Sequence, residues 1–584
     1  MKRILSILLI ALCTLGVQAQ YGIRVNGTDV YPATQTGEFE GFTQYLAHIY
    51  INAGDYCELY DINNAVAWTK PLNSASVSAF SLQNNRYVCS AAGCYDFYIK
   101  LKFNADELYI GPGSDCTNTP GEGGGGGTTP VTPTDYETAV PSQCEDIILQ
   151  AFYWGSKQDN GYGATTWQAL YGQVDEISSY FSLVWLPPSA QASGIDAGMG
   201  YIVDDYSAQQ SGFGMKPFLQ YLITGLHNKG VKVLADIVIN HCGNYSNNCD
   251  FKTFNFGTYG SFSPNSTWIT SDDEKGCNPG GNPDDGQHEP NYAAARDWDH
   301  KNVNVQNMCK AYLQWMKAEM KYDGWRYDYS GGYHTSHVND YNTASKPYFS
   351  VMEYWYGDAA VLKQRIDDAG KNTLTFDFAL KYNTLRDGIY QKNYSKCVNG
   401  GLRGRGYSKY AVTFIDNHDT FKRSDSEDVA GKKDGSSIND KSLMMRCNAY
   451  ILSMPGVPCV FWPHWVKYKS DIQAMIHARR AAGIHSESQV QNESAANGGY
   501  KATVVGKRGN VILYLGNAAN EAAPAGYKQA VKGTDYAMYY TGDDSQDIES
   551  IQPSDVSTQK FVKDGQLYIR CGERVYDAQG KLVY

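Results

Sequence analysis

Apolar positions along this chain follow two different rhythms. Between residues 145 and 485, short apolar runs alternate with longer segments whose apolar positions have helical spacing, a pattern typical of parallel β/α structures. Eight runs predict strands, at residues 147–153, 183–186, 231–240, 324–329, 349–354, 373–378, 411–416 and 458–462. Eight strands with intervening helices predict an α/β fold, a (β/α)8 barrel, which we assign to residues 136–485.

The segments on either side of this region have a different pattern. Short apolar and aromatic runs broken by Gly, Asn and Pro predict a β-sandwich module at residues 20–116 and an antiparallel β domain at residues 486–584. A polar, Gly- and Asp-rich stretch at residues 242–299 predicts a subdomain inserted after the third barrel strand. Residues 117–135 contain five consecutive glycines and then Thr and Pro, which predicts a linker that tethers the sandwich.

Three carboxylates stand where predicted strands give way to loops: Asp328, Glu353 and Asp419. In a barrel of parallel strands, chemistry occurs at that edge because loops from several strands converge there. The arrangement predicts glycosidic bond cleavage, with Asp328 as nucleophile, Glu353 as acid and base, and Asp419 binding sugar hydroxyls. Arg326, on the same face of its strand as Asp328, is expected to keep that carboxylate ionised. For any one of the three carboxylates alone, the alternative is a side chain that caps a loop.

Composition and charge narrow the possible partners. The formal net charge of -11 and the pI near 5.5 argue against nucleic acid or an anionic membrane as a partner. The 46 Tyr outnumber the 20 Phe, and a tyrosine ring offers sugars a flat apolar face with a polar edge, although exported proteins also carry many surface tyrosines. Trp68, Tyr98 and Tyr109 are candidate sugar-stacking residues of the first module, with core packing as the alternative.

The first residues predict export. Lys2 and Arg3 precede an apolar run at residues 4–17, which is too short to span a membrane and predicts a signal peptide at residues 1–19. We therefore expect a periplasmic or extracellular monomer without an integral membrane span. Of the 14 Cys, 13 remain after cleavage, and the spacing of Cys89 with Cys94 and of Cys242 with Cys249 does not by itself assign pairs.

Four motifs in order resemble the α-amylase family, glycoside hydrolase family 13. They are residues 236–241, residues 324–328, Glu353, and residues 416–419. The likeness covers about residues 145–485 and is closest to plant-type and related bacterial α-amylases. Residues 95–111 loosely resemble the last hairpin of small starch-binding modules.

The resemblance implies roles for further residues. His241 and His418 are expected to contact hydroxyls of the sugar being cleaved, Tyr201 to stack beneath that sugar, and Arg326 to belong to the substrate site. The alternative for either histidine is a strand-end side chain with satisfied hydrogen bonds.

The resemblance also implies a structural Ca²⁺ between the barrel and the inserted stretch. Asn240, Asp297 and the carbonyl group of Gly332 match the ligand positions, and such oxygen ligands suit calcium. Asp284 or Asp285 could add a carboxylate, or both could be merely solvated.

One departure from the family concerns the loop after Asp328. The family commonly has Lys-His or Lys-Gly there, whereas this chain has Gly331 and Gly332. The cation that would hold the leaving-side sugar is therefore absent from this loop, which puts the product pattern in question.

These observations predict an exported α-amylase that hydrolyses internal α-1,4-glucosidic bonds of starch or related glucans with retention of configuration. The alternatives are a glucanotransferase, a cyclodextrin-cleaving enzyme or a debranching enzyme of the same family. A non-catalytic starch-binding protein is a third reading, but it predicts the loss of at least one of the three carboxylates.

Overall fold

The computed structural model describes most of the chain between residues 21 and 577. The described ranges are 21–27, 29–39, 42–61, 66–68, 76–84, 86–101, 107–113, 133–192, 198–243, 249–272, 279–288, 295–423, 426–546, 558–563, 566–571 and 574–577. The predicted signal peptide and nearly all of the predicted linker lie outside them. The chain divides into two compact units, Met1–Val131 and Thr132–Tyr584.

The first unit consists of two antiparallel sheets. One contains Tyr21–Val25, Asp29–Pro32, Tyr56–Asp61, Val66–Trp68, Phe80–Gln83 and Arg86–Cys89, and the other contains Thr34–Phe39, Phe42–Ile51, Gly93–Leu101 and Glu107–Pro112. Side chains from both sheets form one buried core, as in a sandwich. Tyr98 and Tyr109 are each 5% exposed, so neither offers a ring face to a sugar, and the side chain of Trp68 lies outside the described residues.

The second unit contains a closed parallel barrel of eight strands. In chain order these are Ile148–Gln150, Leu183–Trp185, Lys232–Ile237, Gly324–Tyr327, Phe349–Met352, Leu374–Phe376, Ala411–Phe414 and Val457–Phe461. The first strand pairs with the last, with Ile148 opposite Cys459, which closes the ring. Nearly every strand residue is buried, which explains why the strands appear in the sequence as continuous apolar runs.

Helices lie between the strands. The α-helices are Trp167–Tyr171, Val174–Tyr180, Lys216–Asn228, Val303–Trp315, Ser336–Ser345, Ala359–Asp368, Lys441–Ser453, Trp462–Lys467 and Lys469–Ala482. Two further segments, Met316–Met320 and Leu380–Tyr390, have π-type hydrogen bonding. Several helices begin at a residue whose side chain caps the first turn. For example, the Asp440 side chain accepts a hydrogen bond from the backbone N–H of Leu443, a typical N-cap. Among the helices that the structure describes, none combines the length and the apolar character that a membrane crossing requires.

The inserted stretch after the third barrel strand is closed at its base by two short strands. His241–Cys242 pairs with Arg296–Asp297, and between them Phe254–Asn255 pairs with Ser261–Phe262. The pairing places His241 directly opposite Asp297. Cys242 is a free thiol and Cys249 is disulfide-bonded, so these two neighbours are not partners.

Antiparallel strands follow the barrel. Five of them form one sheet: Gln489–Ala496, Gly499–Val505, Asn510–Gly516, Lys528–Gly533 and Tyr536–Tyr540. Three more form a second sheet: Thr558–Lys563, Gln566–Cys571 and Arg574–Asp577. The predicted barrel and the predicted C-terminal β domain are confirmed.

Candidate active site

The three predicted catalytic carboxylates border one cleft at the carboxyl end of the barrel. Asp328 and Glu353 directly follow the fourth and fifth strands, and Asp419 lies in the loop after the seventh. All three line a cleft of about 640 Å³. Asp328 is 7% exposed and Glu353 is 4% exposed, so both carboxyl groups lie at its floor.

Arg326 joins the carboxyl groups from behind. Its guanidinium is fully buried, with Nη1 2.6 Å from Asp328 Oδ1 and 2.6 Å from Asp236 Oδ1. Nη2 lies 2.8 Å from Glu353 Oε1. One side chain thus holds Asp328 and Glu353 as near neighbours, which is the arrangement that a double displacement needs. Arg326 was predicted as a substrate residue, but in the structure it contacts the carboxylates and does not reach the cleft surface.

Arg326 was expected to keep Asp328 ionised, but it is not the largest influence on the pKa of that carboxyl group. Burial raises the pKa of Asp328 well above its usual range, Arg326 opposes the rise, and Glu353 and Asp236 add to it. Burial likewise raises the pKa of Asp236 to about 6, against the effect of Arg326. Because three carboxyl groups share one guanidinium, Arg326 does not bring the pKa values of Asp328 and Asp236 back to their usual range.

Aromatic rings form a flat floor on one side of the cleft. Tyr201 and His418 stack with ring centroids 5.2 Å apart and planes 14° apart, and Trp154 lies parallel to Tyr201 at 6.3 Å. The Tyr201 hydroxyl donates to Asp236 Oδ2 at 2.8 Å, which fixes the ring above the cluster. Tyr201 and Trp154 line the cleft and therefore present aromatic faces to whatever occupies it.

The two predicted histidines occupy different positions. His241 lines the cleft, and its Nε2 lies 2.8 Å from the carbonyl oxygen of Tyr201. Burial lowers the pKa of His241 to about 4, so its ring is neutral near pH 7. His418 is fully buried, with Nε2 3.1 Å from Asp419 Oδ2, and burial with help from Arg326 lowers its pKa well below the usual range. In the structure His418 therefore contacts a carboxylate rather than the cleft.

The loop after Asp328 is tied to Glu353. Tyr329 has a φ of 48°, a left-handed conformation that is uncommon for a bulky residue, and its backbone N–H donates to Glu353 Oε2 at 3.1 Å. The strained residue thereby orients the second carboxylate, and such outliers cluster at functional sites.

The predicted calcium ligands lie together beside this loop. The Asn240 side chain donates to Asp297 Oδ1 at 3.2 Å, whereas Asn240 Oδ1 is buried and has no hydrogen-bond partner. A Cβ at Gly332 would lie 2.2 Å from Asn240 Oδ1, which brings the backbone of Gly332 against it. A Cβ at Gly286 would lie 2.9 Å from Asp284 Oδ2 and 3.0 Å from the carbonyl oxygen of Gly332.

These residues fit a hard cation. The buried amide oxygen of Asn240 has no hydrogen-bond partner, and the neighbouring Asp297 and Gly332 offer oxygen atoms, which hard cations prefer. Asp285 is less suited than Asp284, since its Oδ2 pairs with His337 at 3.1 Å. Within the described part of the chain, no group of three or more His, Cys, Asp and Glu side chains is placed to hold a metal ion.

Sequence reasoning missed several residues of the cleft. Trp154 lines the cleft and Asp236 contacts the buried Arg326; both stand in stretches that carry the family likeness and could have been named from it. Eight other lining residues were not predicted as site residues: Tyr329, Trp355, Tyr382, Arg386, Arg423, Ser426, Glu427 and Lys433. Arg423 Nη1 lies 2.6 Å from Asp419 Oδ1, and its guanidinium is 4.3 Å from the centroid of a Trp154 ring.

Comparison with known proteins gives concordant matches. A family model described as the α-amylase catalytic domain matches residues 157–377, and one described as the α-amylase C-terminal β-sheet domain matches residues 481–539. The chain is 30% identical to the chloroplastic α-amylase 3 of Arabidopsis thaliana over 68% of its own length, and it spans 44% of that protein. It is 29% identical to the probable α-amylase 2 of the same plant, over 68% of its own length and 94% of the relative.

A solved structure matches the fold. The cyclomaltodextrin glucanotransferase CldA superposes with a TM-score of 0.50 and 13% identity, over 68% of this chain and 99% of that one. At that identity the likeness concerns the fold alone.

Proposed function

Since the chain belongs to the α-amylase family of glycoside hydrolases, we propose that it hydrolyses internal α-1,4-glucosidic bonds of starch and related glucans with retention of configuration. The observation that carries the proposal is the contact of Asp328 and Glu353 with one guanidinium at the floor of the cleft. Contacts to one guanidinium keep the two carboxyl groups near each other, which supports the double displacement of a retaining mechanism.

In the proposed reaction, Asp328 attacks the anomeric carbon and Glu353 protonates the departing glycosidic oxygen. The bond from the sugar to that oxygen breaks as the bond to Asp328 forms, and Glu353 then takes a proton from the water that releases the sugar. Asp419 accepts hydrogen bonds from hydroxyls of the sugar held on Tyr201. His418 keeps a neutral ring beside Asp419 and limits how that carboxylate can turn.

We also propose that Ca²⁺ binds between the barrel and the inserted stretch. Asn240 Oδ1, Asp297 and the carbonyl of Gly332 would hold it, with Asp284 as the added carboxylate. Bound there, the ion would act structurally: residues from the end of the third barrel strand and from the loop after Asp328 would together hold it and so steady the segment that carries Tyr329.

Export is proposed on two grounds. The N-terminal residues have the pattern of a signal peptide, and Cys94 and Cys249 each take part in a disulfide bond, which is typical of proteins in an oxidising compartment. Determining the N-terminal residue of the mature protein from the culture medium and the periplasm tests this: cleavage after residue 19 is expected, and a cytoplasmic, uncleaved chain contradicts it.

A time course on soluble starch tests the reaction. Internal hydrolysis predicts early loss of iodine staining with a steady rise in reducing ends, while Asp328→Asn, which keeps the side-chain shape, is inactive. Proton NMR of the first products is expected to show the α-anomer. Lengthening of some chains without a net rise in reducing ends indicates a transferase instead, and first products of the β-anomer exclude retention.

A further inference from the structure

The wall of the cleft beside Glu353 is built from the loop that follows the fifth barrel strand and from the segment that follows the sixth. Trp355 lies two residues beyond Glu353, and its indole N–H donates to the hydroxyl of Tyr382 at 2.7 Å. The ring of Phe378 stacks on Trp355 with centroids 4.8 Å apart and on Tyr382 at 6.1 Å. Trp355 and Tyr382 both line the cleft, so this wall is a braced aromatic surface.

Tyr382 and Arg386 come from the π-helical segment Leu380–Tyr390. They are four residues apart, and the Arg386 guanidinium lies 5.0 Å from the centroid of the Tyr382 ring. Both line the cleft. Asn383 donates to the carbonyl oxygen of Gly357 at 2.8 Å, which fastens the segment to the loop that follows Glu353. Extended π-helix is rare and occurs frequently at functional sites.

The loop on the other side of Glu353 supplies no such cation. It carries Gly331 and Gly332, and a side chain at Gly332 would collide with Asn240. Three other cations line the described cleft, namely Arg386, Arg423 and Lys433, and Arg423 pairs with Asp419. Of these, Arg386 stands on the wall that Trp355 connects directly to the Glu353 loop.

We propose that Tyr382 and Arg386 bind the glucose unit on the leaving side of the bond that is cleaved. The proposal rests on the proposed glucan hydrolysis, because Glu353 marks the leaving side by protonating the departing oxygen. The rings of Trp355 and Tyr382 offer flat apolar faces, and Arg386 donates charge-assisted hydrogen bonds to sugar hydroxyls. The ligand is the reducing-side portion of an α-glucan chain.

The Tyr382 hydroxyl is suited to this role. Burial raises its pKa to about 12, so the phenol keeps its proton near pH 7. Its oxygen already accepts the indole N–H of Trp355, which leaves its own proton to donate to a sugar hydroxyl.

The test compares two substrates that differ only on the leaving side. Maltohexaose places glucose units there, whereas 2-chloro-4-nitrophenyl maltotrioside places an aromatic leaving group there. For Arg386→Gln we expect the ratio of kcat/KM for maltohexaose to that for the aryl substrate to fall by about 10- to 100-fold, the usual effect of losing one charge-assisted hydrogen bond. Tyr382→Phe, which keeps the ring, is expected to lower the same ratio by about threefold to tenfold.

The chain offers a matched control. Lys396 Nζ lies 3.2 Å from Asp387 Oδ2, and Arg386 Nε lies 3.0 Å from Asp387 Oδ1, so both cations pair with the same aspartate. Of the two, only Arg386 is among the residues that line the described cleft. Lys396→Gln removes the other cation that pairs with Asp387, and its ratio of kcat/KM for the two substrates is expected to equal that of the wild-type protein.

The outcomes separate this proposal from the one on which it rests. A wild-type protein that cleaves neither substrate refutes the proposed hydrolysis, and the leaving-side assignment with it. If the wild type is active but the ratio in Arg386→Gln is unchanged, or if both substrates lose activity equally, the leaving-side assignment is wrong and hydrolysis stands. A ratio that also falls in Lys396→Gln attributes the effect to the pairing with Asp387 and overturns the assignment.

Discussion

Replacing Arg326 by Met tests the charge balance at the floor of the cleft. The guanidinium is fully buried and contacts Asp236, Asp328 and Glu353 at 2.6, 2.6 and 2.8 Å. Methionine fills much of the same space without a charge, so three carboxyl groups lose their common partner. Removing one partner of a buried ion pair costs about 3–5 kcal/mol in the free energy of unfolding, and we expect a loss in that range at pH 8.

The loss is expected to depend on pH with a definite sign. A carboxyl group whose folded-state pKa lies above its unfolded value binds more protons when folded, so the free energy of unfolding falls as the pH rises through that interval. The pKa of Asp236 is already about 6, and that of Asp328 is raised as well. Without Arg326 both rise further, so the deficit of the variant is expected to be smaller at pH 5 than at pH 8 by about 1–3 kcal/mol.

Urea unfolding followed by tryptophan fluorescence measures this difference, with Trp185 as a local reporter because the guanidinium lies 4.9 Å from its ring. Arg326→Lys is the control: it keeps the charge but not the planar fork that reaches three carboxyl groups, so its loss should be smaller and less dependent on pH. An equal loss in both variants, the same at pH 5 and pH 8, would mean that packing rather than charge sets the role of Arg326.

Three further predictions concern single groups. Glu353→Gln removes the proton donor but keeps its shape, so turnover on starch should fall by about 10²–10⁴-fold while binding to insoluble starch remains, and near-normal turnover removes Glu353 from its role. A calcium chelator should lower the melting temperature of the wild type but not that of Asn240→Leu, and a wild-type melting curve that ignores the chelator counts against the site. Arg423→Gln frees Asp419 Oδ1 from a contact of 2.6 Å and should lower kcat for maltohexaose about tenfold with little change in KM; an unaltered kcat shows that this pair plays no part in turnover.

The fold could be predicted from the sequence because the barrel strands are buried on both sides. Each strand therefore appears as an unbroken apolar run, and the carboxylates that end these runs show where the cleft must form. Asp328 and Glu353 follow directly from that rule, since parallel strands bring their carboxyl ends to one edge, whereas Asp419 lies five residues beyond the end of the seventh strand. The positions of His241 and Tyr201 came from the resemblance to a family.

Other features have no local signature. Arg386 and Arg423 lie in segments without a motif. Whether their side chains line the cleft depends on tertiary packing, which the neighbouring residues in the sequence do not reveal. The upward shift in the pKa of Asp328 could not be predicted from Arg326, because burial, Glu353 and Asp236 oppose its effect and the two carboxylates arrive from two other strands. Cys89 and Cys94 are close along the chain, yet Cys89 is a free thiol while Cys94 is disulfide-bonded.

The contact between Gly332 and Asn240 limits which residues position 332 can accept. Only 2.2 Å separates the amide oxygen of Asn240 from the position of a first side-chain carbon at 332, so any larger residue there displaces the proposed metal ligand. Directed evolution of product length in this scaffold should therefore yield changes in the Leu380–Tyr390 segment rather than a side chain at residue 332.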